Sequence, residues 1–168
     1  YSHNYGTLTG GVWGIKSTSF FYYDAGTGLD PERASGEHVS NESAMKRSDS
    51  YKGEISIEDA AKLQSKTYYF GIKGDEVADY SHNYKLGTTL IKTTSFFLYA
   101  GARANMASSD QAMTTSESYK GEFTDIPLVT DGIIQSRTYY VGDKSEEIAN
   151  YSHNYGTLTG GVWGIKST

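Results

Sequence analysis

Cysteine is absent from this chain of 168 residues. Without it there can be no disulfide framework, no thiolate zinc site and no cysteine nucleophile, and redox chemistry is not expected. Basic runs are missing too, and the formal net charge is −5, with 15 Lys and Arg against 20 Asp and Glu. Because nucleic acids and anionic membranes are bound by clustered positive charge, the sequence predicts neither as a partner.

Long apolar runs are also missing. No stretch approaches the ~20 apolar residues that a membrane-spanning helix needs, so we expect no membrane insertion. There is no signal-peptide pattern, and the first residue is Tyr1 rather than Met, which we interpret as a sign of a longer precursor.

Tyrosine dominates the aromatic residues, with 15 Tyr against 6 Phe and 2 Trp. At 37% hydrophobic and 21% charged residues, the composition is that of a folded domain. Tyrosine rings combine apolar area with a hydroxyl group that needs a partner or water. Such rings suit strands and wet interfaces.

An internal repeat is the strongest feature of the sequence. Residues 1–18 (YSHNYGTLTGGVWGIKST) return letter for letter as residues 151–168, and a partial copy begins at Tyr80. We therefore divide the chain into repeat module A (1–79), repeat module B (80–150) and the start of a further repeat (151–168).

Four segments end in a similar strand pattern, namely IKSTSFF, LQSKTYY, IKTTSFF and IQSRTYY, and each is preceded by a second strand-like run. The alternation of Tyr51, Ile55 and Ile57 with polar residues predicts one such strand. We expect an all-β fold of tandem modules of antiparallel strands, arranged like sandwiches. Short helical turns are expected in the connectors, at Val77–Ala78 and Ile148–Ala149.

Adjacent aromatic residues in these strands must point to opposite faces of a sheet. We expect one ring of each pair to pack on a neighbouring module, since a module of this size buries little surface alone. With the rings of the recurring segment, the candidate assembly residues are Tyr1, His3, Tyr5, Trp13, Phe20, Phe21, Tyr68, Tyr69, Phe96, Phe97, Tyr139, Tyr140, Tyr151 and His153.

Three histidines, His3, His82 and His153, share the motif SHNY. A catalytic or metal-binding role would need further His, Cys or carboxylate groups at ligand spacing, or a nucleophile motif, and none accompanies them. We favour packed, hydrogen-bonded histidines. No other catalytic or cofactor pattern is found, so the chain is predicted not to be an enzyme and to need no cofactor.

Two minor patterns concern ions and glycans. Asp24 and Asp30 flank a glycine loop with a faint likeness to calcium loops, but the matching stretch after Tyr99 lacks carboxylates, so a simple loop is favoured. Asn41 and Asn150 fit the acceptor pattern for N-linked glycans, which matters only if the chain is exported.

These patterns together favour an architectural role. We expect an extracellular or cell-surface fibre, stalk or sheath, of the kind that carries an adhesin, whose partner is itself through tandem repetition or strand exchange. The alternative is a multivalent carbohydrate-binding repeat protein that uses Tyr and Trp13 as stacking platforms.

Overall fold

A computed structural model describes residues 1–108, 110–128 and 133–168. Eleven strands form a single antiparallel sheet. Their bounds are β1 Ser2–Thr7, β2 Trp13–Tyr23, β3 Glu32–Arg33, β4 Met45–Lys52, β5 Leu63–Phe70, β6 Val77–Tyr84, β7 Ile91–Tyr99, β8 Met113–Lys120, β9 Ile134–Val141, β10 Ile148–Thr157 and β11 Trp163–Ser167. Over the described ranges, one 3₁₀ turn at Ala60–Lys62 is the sole helical element, and no helix there could cross a membrane.

The sheet is a meander. Its strand order is β1-β2-β4-β5-β6-β7-β8-β9-β10-β11, and β3 pairs with β2 away from this path. The all-β prediction is confirmed, whereas the sandwich-like arrangement is not, because all eleven strands belong to one sheet. The proposed boundaries after residues 79 and 150 fall inside β6 and β10, so the halves are joined by ordinary strand pairing.

Corresponding strands in the two halves pair in the same register. Thr18 faces Tyr51 between β2 and β4, just as Thr94 faces Tyr119 between β7 and β8. The threonine hydroxyl of each pair donates to a glycine carbonyl just beyond the next strand, at 2.9 Å for Thr18 and 2.8 Å for Thr94. The local geometry of the repeat therefore follows its sequence.

Two predictions about local structure were wrong. Val77 and Ile148 begin strands instead of helical turns, because the tight turns before them already reverse the chain. The run from Tyr51 to Ile57 is not one strand either, since β4 ends at Lys52 and Gly53 has a φ of 73°. The chain then leaves the sheet and folds Ile55 into the core.

One side of the sheet, the aromatic face, carries the two cores. The first cluster comprises Phe20, Tyr22, Tyr51, Ile55 and Leu63. The second cluster comprises Phe96, Tyr119 and Ile134. The long loops cover them: the Arg33 guanidinium lies 4.0 Å from the Phe20 ring centroid, and that of Arg103 lies 4.6 Å from the Phe96 ring centroid. Each half thus covers its own phenylalanine with an arginine.

The opposite side, the hydroxyl face, is lined by short polar side chains. Directly paired residues project to the same face of a sheet, and their pairing traces an unbroken row across eight strands. The row runs Ser48, Thr67, Ser81, Ser95, Ser118, Ser136, Asn154 and Ser167.

Candidate assembly edge

The recurring YSHNY segment occupies three different positions in the sheet. In the middle copy, β6 lies between β5 and β7, and in the last copy β10 lies between β9 and β11. In the first copy, β1 is an edge strand that pairs with β2 alone. The same residues can therefore be compared with and without an upstream neighbour strand.

Tyrosine stacking depends on that neighbour. The Tyr80 ring stacks on Tyr68 with centroids 4.5 Å apart, and Tyr151 stacks on Tyr139 at the same distance. Burial raises the pKa of Tyr80. Tyr1 immediately precedes β1, the strand without an upstream neighbour, and is 74% exposed. The edge thus presents an aromatic surface that the other two copies cover with a tyrosine.

Hydroxyl groups on the opposite face behave in the same way. Thr67 donates to Ser81 at 3.1 Å, and Thr138 donates to Ser152 at 3.0 Å. Ser2 occupies the equivalent place in β1 and has no threonine strand beside it. Both faces of β1 therefore lack the upstream contacts seen at β6 and β10.

The first and last hairpins, residues 1–18 and 151–168, have the same internal register. Tyr5 faces Ile15 and Thr7 faces Trp13 in the first, as Tyr155 faces Ile165 and Thr157 faces Trp163 in the last, with a bulge at the same point.

Their surroundings differ. Trp163 and Tyr155 pack against the second cluster, whereas Trp13 is 70% exposed and Tyr5 is 59% exposed. Identical residues are packed at one end of the chain and uncovered at the other.

The three histidines are held by packing and hydrogen bonds. His82 is buried and its Nε2 donates to the Phe123 carbonyl at 2.9 Å. His3 Nδ1 lies 3.1 Å from the Thr18 hydroxyl, which itself donates to a carbonyl, so the histidine is the donor. His153 makes an edge contact with the Tyr139 ring and a tilted contact with the Tyr151 ring. Among the described residues no group of three or more His, Asp or Glu could hold a metal ion.

The adjacent aromatic residues divide between the two faces as their spacing requires. Phe20 and Phe96 are fully buried within the chain and need no neighbouring copy to cover them. Phe21 and Phe97 lie half-buried on the hydroxyl face. On that same face the hydroxyls of Tyr69 and Tyr140 lie 3.2 Å from Ser48 Oγ and 3.1 Å from Ser116 Oγ, respectively.

The candidate ion and glycan residues lie on exposed parts of the fold. Asp24 Oδ1 accepts from the Gly26 amide at 2.9 Å, and its Oδ2 lies 3.5 Å from Lys46 Nζ. Asp30 is in the loop that follows. Asn41 lies exposed in a turn, and Asn150 lies exposed at the bulge in β10.

A buried carboxylate, Asp49, lies under the aromatic face with 1% of its surface exposed. Burial raises its pKa, while Arg47, with Nε 2.9 Å away, and Lys66, with Nζ 3.8 Å away, act against that rise. Glu117 holds the equivalent place in the second half and accepts from Arg137 Nε at 2.6 Å. Each half therefore contains a cross-strand ion pair.

An open cleft of about 730 Å³ adjoins the β1 edge. Tyr1 and His3 form one wall, and the loop containing Glu58, Asp59 and Lys62 forms another. The cleft combines exposed ring surface with charged groups.

Comparison with protein-family models, curated proteins and solved structures finds no match for this chain. Its function therefore has to be argued from its own geometry.

Two features of the structure were not predicted from the sequence. The hydroxyl row was signalled by small polar residues at alternate positions, as at Ser48 and Ser50 or Ser136 and Thr138. The covering of phenylalanine rings by Arg33 and Arg103 had no sequence signal, because these arginines lie in dissimilar loops.

Proposed function

We propose that this chain is a structural repeat segment of an extracellular or cell-surface fibre, stalk or sheath, built by repetition of a 150-residue unit. One observation carries the proposal: the sheet begins and ends with the same hairpin in the same register. A sheet whose end matches its beginning can be extended without a new kind of contact.

The accessible surface supports an extended, assembling molecule. It measures 10093 Å², whereas a compact monomer of 18.4 kDa is expected to expose about 8,200 Å². A single sheet covered by its own loops on one side only accounts for the excess. The internal repeat also favours an architectural role.

Negative-stain electron microscopy of the wild-type protein at increasing concentration tests this proposal. From β1 to β10 the path takes eight inter-strand steps. At ~4.8 Å per step we expect filaments with an axial repeat of about 38 Å, shortened by sheet twist. Dispersed compact particles at all concentrations would contradict the fibre.

Multivalent carbohydrate binding is the second candidate. Exposed rings of Tyr1, Tyr5 and Trp13, with the charged cleft beside them, have the character of a sugar-stacking surface. A glycan array probed with wild type, Trp13→Ala and Trp163→Ala tests it. We expect a glycan signal lost in Trp13→Ala and kept in Trp163→Ala, and no signal with wild type would reject this candidate.

A further inference from the structure

We infer that the first hairpin of one copy docks on the β9 edge of a second copy, where it takes the place that the last hairpin occupies in the single chain. The β9 edge is the side of β9 that pairs with β10. This inference rests on the proposed function and names the partner as a second copy of this chain. It also names the residues that meet at the junction.

Sequence identity defines how the junction is aligned. In the single chain, Ser152 pairs with Thr138, His153 with Arg137 and Asn154 with Ser136. Residues 2–4 are identical to residues 152–154 and their hairpin has the same register. The first hairpin of another copy therefore fits the β9 edge with Ser2 beside Thr138.

Docking gives Tyr1 the surroundings that Tyr80 has in the middle of the sheet. Tyr80 lies between Tyr68, at 4.5 Å, and Phe96, at 5.9 Å between ring centroids. Tyr1 already contacts Phe20 of its own chain at 6.3 Å. The missing stacking partner is supplied by Tyr139 of the second copy.

Docking also covers the exposed rings of the first hairpin, while it uncovers the identical rings of the last hairpin that it displaces. Trp163 and Tyr155 show where the rings of this hairpin go when β9 is present, namely onto the second cluster. Trp13 and Tyr5 of the docking copy would pack on the second cluster of its neighbour in the same way. These are large exposed rings, and aromatic residues are enriched in the cores of protein interfaces.

When the first hairpin of another copy replaces the last hairpin on β9, the number of strand pairs stays the same. Contacts made by residues beyond 18 therefore decide whether the assembly is more stable than the single chain. In a docked copy, β2 continues into Phe20, the first long loop (residues 24–44) and β4. Within the single chain, the end of β5 already contacts the second long loop, and this contact shows what docking would add at the end of β9. Phe70 and Ile72 share a pocket of about 200 Å³ with Ala104 and Ala107 of the second long loop, described over residues 100–108 and 110–112. Val141, which corresponds to Phe70, is 55% exposed, and a docked copy would bring its own first long loop to this position.

A disulfide trap tests the junction directly in the full chain, which has no native cysteine. The double variant Ser2→Cys with Thr138→Cys places one thiol on β1 and one on β9, with six strands between them in the sheet order. That separation is about 33 Å along the sheet, too far for a disulfide within one copy. Under mild oxidation we expect a ladder of covalent multimers that lengthens with protein concentration and collapses on reduction.

Matched variants define the controls. Thr138→Cys with Ser152→Cys should close within one chain, remain monomeric and lock the last hairpin in place, because these side chains are 3.0 Å apart. The single variants Ser2→Cys and Thr138→Cys can form dimers at most. Mass spectrometry of the ladder should find a disulfide between positions 2 and 138. If those linked peptides are absent and the double variant gives no species beyond dimers, the inference is overturned.

A second measurement uses the duplicated tryptophan. Trp163→Ala weakens the last hairpin and leaves the first hairpin intact, so sedimentation velocity should show a severalfold larger oligomer fraction than wild type. Trp13→Ala, alone or combined with Trp163→Ala, should not show this increase, because the first hairpin then lacks the tryptophan ring that packs on the second copy. A Trp163→Ala variant that keeps its far-ultraviolet circular dichroism spectrum and stays monomeric would contradict the exchange.

The two proposals fail in distinguishable ways. Filaments by electron microscopy without the 2–138 disulfide would keep the fibre and reject this junction. Multimers linked through positions 2 and 138 without filaments would keep the junction and reject the fibre.

Discussion

Among the charged residues that the structure describes, Asp49 has the smallest exposed fraction. Its carboxylate is buried, its Oδ2 accepts no hydrogen bond, and Arg47 is its closest cation. Because burial raises the pKa in the folded state, the folded chain retains the Asp49 proton over the pH range between the ordinary aspartate pKa and the folded pKa, where the unfolded chain has released it. The contribution of Asp49 to stability is therefore greatest at acid pH and declines as pH rises from the ordinary aspartate range through the folded pKa.

This gives a prediction for Asp49→Asn. The free energy of unfolding of wild type minus that of the variant should increase as pH falls from 7 toward 4, when measured by urea denaturation at each pH. The difference cancels the titration of groups that do not interact with Asp49. A difference that stays constant over this range would show that Asp49 does not titrate as its burial requires.

Glu32 supplies a control of opposite sign. Hydrogen bonds from His38 lower the pKa of this partly exposed carboxylate. Its contribution is present above the unfolded pKa and is lost as pH falls through the folded pKa. The difference between wild type and Glu32→Gln should therefore decrease as pH falls.

At the scale of elements, the turns that follow β5 and β9 determine how the halves join. Gly71 and Gly142 begin these turns with φ values of 129° and 118°. A Cβ at Gly71 would lie 2.6 Å from the Asp75 carbonyl oxygen, and one at Gly142 would lie 2.6 Å from that of Glu146. Only glycine fits this backbone.

We expect Gly71→Ala to lower the free energy of unfolding by about 3 kcal/mol, from backbone strain together with the carbonyl clash. Gly74→Ser in the same turn is the matched control. Gly74 has open space around its Cβ position, and the equivalent Ser145 already adopts a φ of 70°. Its cost should stay near or below ~1 kcal/mol. Equal urea midpoints for the two variants would contradict this account of the turn.

Strands and their register were predictable from the sequence to the extent that their signals are local. Alternation over a few residues indicates a strand, and repeated letters indicate repeated register. Pairing between β5 and β6 was missed although the two strands are consecutive and a short turn joins them. The repeat placed a module boundary at residue 79, inside β6, and this hairpin turns two expected sandwiches into one sheet. Val77–Ala78 was misassigned because a short apolar pair in an acidic setting carries no period.

The candidate edge was predicted in its residues but not in its geometry. Tyr1 and Trp13 were identified because they recur, yet recurrence cannot tell an edge strand from a central one. In the folded sheet the copies differ in which strands lie beside them, and the sequence of each copy does not specify those neighbours. The hydroxyl row was overlooked because alternate serines have the same pattern as a solvent-facing strand.

At the scale of the whole molecule, the sheet is close to one-dimensional, since each strand of the path pairs with the strands on either side and only β2 has a further partner, the two-residue strand β3. Stability in such an array is transmitted from neighbour to neighbour, and the ends are the first parts to open. The three YSHNY copies then report on position within the sheet, because their sequence is constant while their neighbours differ.

Hydrogen exchange monitored by mass spectrometry makes that position measurable. The first and last copies are told apart by peptides that extend beyond residue 18 or begin before residue 151, because peptides from within the two hairpins are identical. In the dispersed protein we expect backbone amides of residues 81–84 to be the most protected, those of 152–155 to be intermediate, and those of 2–5 to be the least protected, since an edge strand leaves half of its backbone groups unpaired. In assembled material the protection of residues 2–5 should rise toward that of 81–84, because docking on β9 gives β1 the two neighbours that β6 already has. If residues 2–5 exchange equally fast in both states, β1 is still an edge in the assembly, and the copies must be joined through some other surface.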